Sequence, residues 1–179
     1  MRIKNTSTHF GIITILFHWV MAVLILGMLT LGIYMTRIPV SMQKLQYYGW
    51  HKEFGMLILM LAIVRLTWRL RNINPNLANL PAWEEFTARF VHWLFYGFMF
   101  AMPVTGWLLT SAAGLPVSFF GLFVIPTLTE PNEENRILFT TIHTYIAYGL
   151  MATLFLHIAA ALKHFVINRD KILQRMMWP

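Results

Sequence analysis

ILFTTIHTYIAYGLMATLFLHIAAAL, residues 137–162, contains no Lys, Arg, Asp or Glu and carries two histidines, His143 and His157. Such a run is longer than the roughly 20 apolar residues that a helix needs to cross a bilayer. An ionisable side chain at that depth is costly and marks function by default. The two histidines are 14 residues apart. That is about 21 Å along a helix axis, and at about 100° per residue their directions differ by only about 40°. One helix face therefore presents two imidazoles at two depths.

Working outward, residues 10–35 and 90–113 are equally free of formal charge. A fourth segment, 50–68, is uninterrupted from Phe54 to Val64 and keeps Lys52, Glu53 and Arg65 near its ends. Long side chains there can reach the headgroups. The reading is an all-α integral membrane four-helix bundle, with helices at about 10–35, 50–68, 90–113 and 137–166 in one domain, 1–179. Composition agrees. The chain has 179 residues, 58% apolar and 12% charged, where globular domains carry about 25% charged. A freely soluble enzyme is excluded on that balance. The first span is too long for a signal peptide and no A-x-A site follows it, so it is expected to stay in the mature chain. The absence of cysteine excludes disulfides, protein-ligated iron–sulfur clusters and covalent c-type haem.

The net charge of +7 reads as topology rather than as a nucleic-acid surface. With the N-terminus inside, ten basic and three acidic side chains fall on the inner side, and four of each on the outer side. Both termini are therefore expected in the cytoplasm. Of the connections, 36–49 and 114–136 lie outside and 69–89 inside. The inner loop has Asn74-Pro75 and a short amphipathic piece from Pro81. The apolar stretch 115–128 in the long outer loop is broken by Pro116 and Pro126, and is expected on the outer membrane surface.

Seven histidines are the strong metal ligands available. His18 lies eight residues past Phe10, about 12 Å deep from the inner side, and His157 lies about 8–14 Å from the inner end of the last helix. These two are level. His51 and His143 are level near the outer ends of the second and fourth helices. Two His–His pairs at two depths suit two stacked bis-histidine haems, built as bundles build cofactor sites, from facing side chains. Two imidazoles leave haem iron no open position for oxygen. Any one intramembrane histidine can equally be a hydrogen-bonded packing residue. Zinc would gather three or four ligands about 2 Å from one point, which two separated pairs do not do. His164, seven residues after His157, is an alternative inner ligand or a headgroup-level residue. His92 is a polar interface residue or a functional contact.

Several short pieces then resemble the bacterial cytochrome b561 family across nearly the whole chain. They are Phe17-His18-Trp19, the stretch His51 to Gly55, Val64-Arg65-Leu66 with Trp68-Arg69, His92 with Pro103 and Gly106-Trp107, and Leu156-His157 through Lys163-His164, with Arg175-Met176-Met177 near the end. Their order and spacing together carry the resemblance. It implies two non-covalent haem b groups, the inner held by His18 and His157 and the outer by His51 and His143. A more distant similarity runs to the cytochrome b subunits of membrane hydrogenases and formate dehydrogenases. The resemblance also implies a quinone such as ubiquinone on the inner side. His92, His164, Arg65 and Arg69 are candidate contacts to it or to haem propionates, and ordinary anchoring is the other reading of the arginines. Gly55, Gly11, Gly27 and Gly149 could give a porphyrin room or serve helix packing.

The expected function is electron transfer in the bacterial inner membrane, between the quinone pool and a redox partner outside. That partner is a soluble protein or a small anion such as superoxide, with Arg37, Lys44, Lys52 and Arg136 as the steering charges. A non-catalytic relay subunit of a larger dehydrogenase is the alternative. A haem-free membrane bundle is the third class.

Overall fold

A computed structural model describes residues 2–75 and 80–177. The expected domain 1–179 therefore includes residues 1, 76–79 and 178–179, which lie outside the described residues. Four long helices carry the fold: α1 (Ile12–Arg37), α2 (Met42–Leu70), α3 (Ala82–Ala112) and α4 (Glu133–Lys163). A two-stranded antiparallel hairpin, β1 (Val117–Phe119) and β2 (Phe123–Ile125), lies between α3 and α4. A π-turn at His164–Asn168 extends α4, and a 3-10 turn follows at Gln174–Met176.

The helices outrun the apolar segments that locate them. α2 begins at Met42, not 50, where the Ser41 hydroxyl accepts from the Lys44 amide at 3.2 Å. α3 takes in the piece after Pro81 as its own first turns. α4 begins at Glu133, capped by Asn132, which accepts from the Asn135 amide at 2.9 Å. Such caps satisfy amides that the first turn leaves open. Hydropathy reports depth in a membrane, whereas helicity continues through polar residues until a cap or a turn stops it. The expected outer connection 36–49 thus shrinks to the few residues between Arg37 and Met42.

Four spans are expected; among the described residues three helices are long and apolar enough to cross a membrane. These are α1, α3 and α4, the last taken through to Asn168. α2 is one of the longest helices, but Lys44, Lys52, Glu53, Arg65 and Arg69 dilute it. It packs on both α1 and α3, and α3 in turn packs on both α2 and α4. Met21, Ile58, Ala62, Tyr96 and Met99 form the central core. Large apolar side chains such as Val23 (68% exposed) and Phe155 (72% exposed) point outward instead, the pattern of a surface that meets lipid.

Both termini lie at one end of the bundle. The Asn5 amide donates to the Ile73 carbonyl, and the Trp19 indole donates to the Met176 carbonyl at 2.7 Å. At the other end, the apolar stretch 115–128 does more than lie on a surface. Val117 and Ile125 bury themselves with Met56. Lys52 Nζ donates to the Pro116 carbonyl and the Trp107 indole to the Pro126 carbonyl. The hairpin is a cap on this end of the bundle.

Candidate functional site

The structure brings His18 of α1 to His157 of α4, and His51 of α2 to His143 of α4, each pair with ring centres 6.3 Å apart. An imidazole nitrogen binds a transition metal at about 2 Å, so two rings on opposite sides of one ion stand about 6 Å apart centre to centre. Both separations match that requirement. Each pair also joins helices that are not close neighbours, since the packed pairs are α1–α2, α2–α3 and α3–α4.

The outer pair has a polar anchor on one side only. His143 Nδ1 lies 3.0 Å from the Thr105 hydroxyl on α3. His51 Nδ1 is buried and has no hydrogen-bond partner among the described residues. An unsatisfied buried polar atom costs about 1–3 kcal/mol, which a ligand at the ring could relieve. Two glycines make room for these rings. A Cβ on Gly32 would lie 3.2 Å from His51 Cε1, and one on Gly106 would lie 3.3 Å from His143 Cε1.

The inner pair sits in a denser aromatic setting. The Phe95 ring centre is 5.2 Å from that of His157, and Trp19 meets His18 edge-on at 5.3 Å. His92 is beside the pair rather than only at an interface, 6.0 Å from His157. His164 is not. Its Nδ1 is 2.6 Å from Asp170 Oδ2 and its Nε2 is 3.7 Å from Glu84 Oε2, so carboxylates flank both nitrogens. Arg65 stacks on Tyr96 at 5.9 Å, and Arg69 stacks on Trp93 at 5.4 Å and on Tyr96 at 5.5 Å. These cation–π contacts fasten the inner end of α2 to α3.

The four glycines singled out in the sequence have different surroundings. A Cβ on Gly11 would strike the Ile3 carbonyl oxygen at 2.4 Å, and one on Gly149 would lie 3.3 Å from Phe98. Gly27 faces open space, and Gly55 has only Met28 at 3.9 Å. Gly32, Gly106 and Thr105 are the residues that meet the His51 and His143 rings. Gly106 stands in a motif noted in the sequence; Thr105 and Gly32 carry no signal of their own, because contact across helices is not written in local spacing.

Among the described residues, no group of three or more His, Cys, Asp or Glu gathers to hold a metal ion. The donor sets are pairs. A pair suits a metal whose other positions are filled by a macrocycle, as in haem. The residues present therefore fit two haems better than bare ions.

Comparison with known proteins agrees with this chemistry. Residues 9–179 match the family described as prokaryotic cytochrome b561. The chain is 32% identical to cytochrome b561 homolog 2 of Escherichia coli (strain K12), over 99% of this chain and 95% of that protein. It is 34% identical to cytochrome b561 homolog 1 of the same organism, over 71% of this chain and 72% of that protein. It is 28% identical to a probable superoxide oxidase of Yersinia pestis, with the same two coverages of 71% and 72%. The chain belongs to the prokaryotic cytochrome b561 family, membrane electron-transfer proteins with b-type haem.

Proposed function

We propose that the chain is a di-haem cytochrome of the bacterial inner membrane, carrying electrons between a redox partner on the periplasmic side and the quinone pool. The observation that carries this reading is the repeated 6.3 Å separation of His18–His157 and His51–His143. In this reading α2 is the fourth span, its charges sheltered by α1 and α3 or placed at the membrane surfaces. Both termini are cytoplasmic, which puts ten of the fourteen basic side chains inside.

When bound, haem supplies a reversible one-electron change at iron. The protein's residues do the rest. His18 and His157 would hold the inner iron from both faces, and His51 and His143 the outer one, leaving neither a position for oxygen. Thr105 fixes the orientation of His143. The hairpin buries Val117 and Ile125 against Met56 near the outer pair, which limits water there. Arg65 places a cation at the inner end, where a quinone or the propionates would meet it.

The outer partner in this reading is a small anion, superoxide by analogy with the name of the Yersinia pestis relative. Lys44 and Lys52 donate to backbone carbonyls, which orients their charge without cancelling it. Arg136 is paired with Glu133 and contributes little. Rapid mixing of the purified protein with superoxide should reduce the b-type absorbance, and added ubiquinone should re-oxidise it. An absorbance indifferent to both reagents would overturn the proposal. The superoxide rate should also fall with added salt.

A further inference from the structure

At the end of the bundle that holds both termini, a cavity of about 420 Å³ opens between Phe10, the end of α2 and the first turns of α3. Its described lining includes the polar residues Arg69, Arg89 and Asn74 and the apolar residues Phe10, Leu70 and Trp93. Arg69 is held in place by its stacking on Trp93 and Tyr96, so little side-chain freedom is lost when it binds something. Arg89 is paired with Glu85 one turn earlier on α3. Among the described residues Arg89 thus has a carboxylate partner and Arg69 has none. No residue of α4 is among the described lining, whereas each histidine pair needs α4. The described lining therefore includes neither histidine pair.

We propose that this cavity binds the phosphodiester headgroup of an anionic phospholipid. A net positive charge beside an apolar wall, at the end of a membrane bundle, suits a ligand with an anionic head and an attached hydrocarbon chain. A basic pocket between helices is a general way for membrane proteins to hold such headgroups. A quinone carbonyl can accept a hydrogen bond from the guanidinium, but the headgroup is neutral and gains less from the charge than a phosphodiester does. Free phosphate has the anion but makes no use of Phe10, Leu70 and Trp93.

The test uses delipidated full-length protein in a neutral detergent, with bound lipid counted by native mass spectrometry. Phosphatidylglycerol is compared with phosphatidylcholine of the same chain length, and inorganic phosphate is added as competitor. Phosphatidylglycerol is expected to bind about tenfold more tightly, the scale of one charge-assisted contact. R69Q/R89Q should abolish that preference, R89Q alone should reduce it, and R71Q, outside the cavity, should leave it intact. Arg89 has a side chain 67% exposed, so R89Q keeps the test available if the double variant does not fold. Equal binding of the two lipids would overturn the proposal. So would a preference that survives R89Q and the double variant, or one lost equally in R71Q. Displacement of the lipid by millimolar inorganic phosphate would assign the cavity to free phosphate and overturn the lipid.

Discussion

The Thr105 hydroxyl stands between His143 Nδ1 at 3.0 Å and the backbone carbonyls of its own helix, Ala101 at 2.7 Å and Met102 at 3.0 Å. One O–H cannot donate both ways. The carbonyl can only accept, so the hydroxyl donates to Ala101 and accepts from His143 Nδ1–H. That tautomer leaves Nε2 with a free lone pair, the atom a metal needs.

Thr105→Val should therefore loosen the outer site alone. Loss of such an outer-shell partner costs about 10–100-fold in metal affinity. The expected result is a fall in outer-haem occupancy, or a shift in the potential of one haem of the two, with Thr105→Ser restoring both. Potentiometric titration of the visible spectrum checks it. Two unchanged haems would show that the contact does not orient His143.

The inner site has three histidines within reach, and their roles separate by substitution. His157→Ala should leave one haem per chain. His92→Phe should leave two, because level depth and the pattern of the cytochrome b561 family assign the second face to His18, even though His92 stands as near to His157, at 6.0 Å against 6.3 Å. Haem analysis of the two variants decides it. A single haem in His92→Phe together with two in His18→Ala would move the ligand from α1 to α3.

Gly32 and Gly27 lie on the same helix and make opposite predictions. A side chain at Gly32 meets His51 at 3.2 Å, while one at Gly27 meets nothing within 4 Å. Gly32→Val should displace the His51 ring and empty the outer site, and Gly27→Val should keep two haems. The measurement is again the haem count, read beside expression level.

Trp19 links the inner pair to the C-terminal segment. Its indole donates to the Met176 carbonyl and its ring touches His18. Trp19→Phe removes one hydrogen bond, worth about 1 kcal/mol, and should release the tail. Limited proteolysis should then cut near the C-terminus several times faster in the variant. Equal rates would show that the His164–Asp170 contact holds the tail without it.

The sequence made the spans and the paired histidines legible because both follow from periodicity: charge-free runs of membrane length, and a 14-residue spacing that returns to one helix face. Three features were not legible. α2 starts at Met42 because Ser41 caps it, and hydropathy does not detect caps. The 115–128 stretch folds into a hairpin because its alternate residues Val117 and Ile125 find Met56, a partner about sixty residues away in the chain. His164 shares a face with His157 by spacing, yet the π-turn that begins at His164 and the left-handed Arg169 (φ 52°) bring Asp170 onto its ring. Each is a tertiary outcome that no local pattern encodes.

The central claim is that each histidine pair holds one haem. A reduced-minus-oxidised visible spectrum of the detergent-purified chain, with haem counted per polypeptide, tests it most directly. The account predicts two low-spin b-type haems per chain. A colourless protein made with haem in supply, or two haems retained after His51 and His143 are both replaced by Ala, would contradict it.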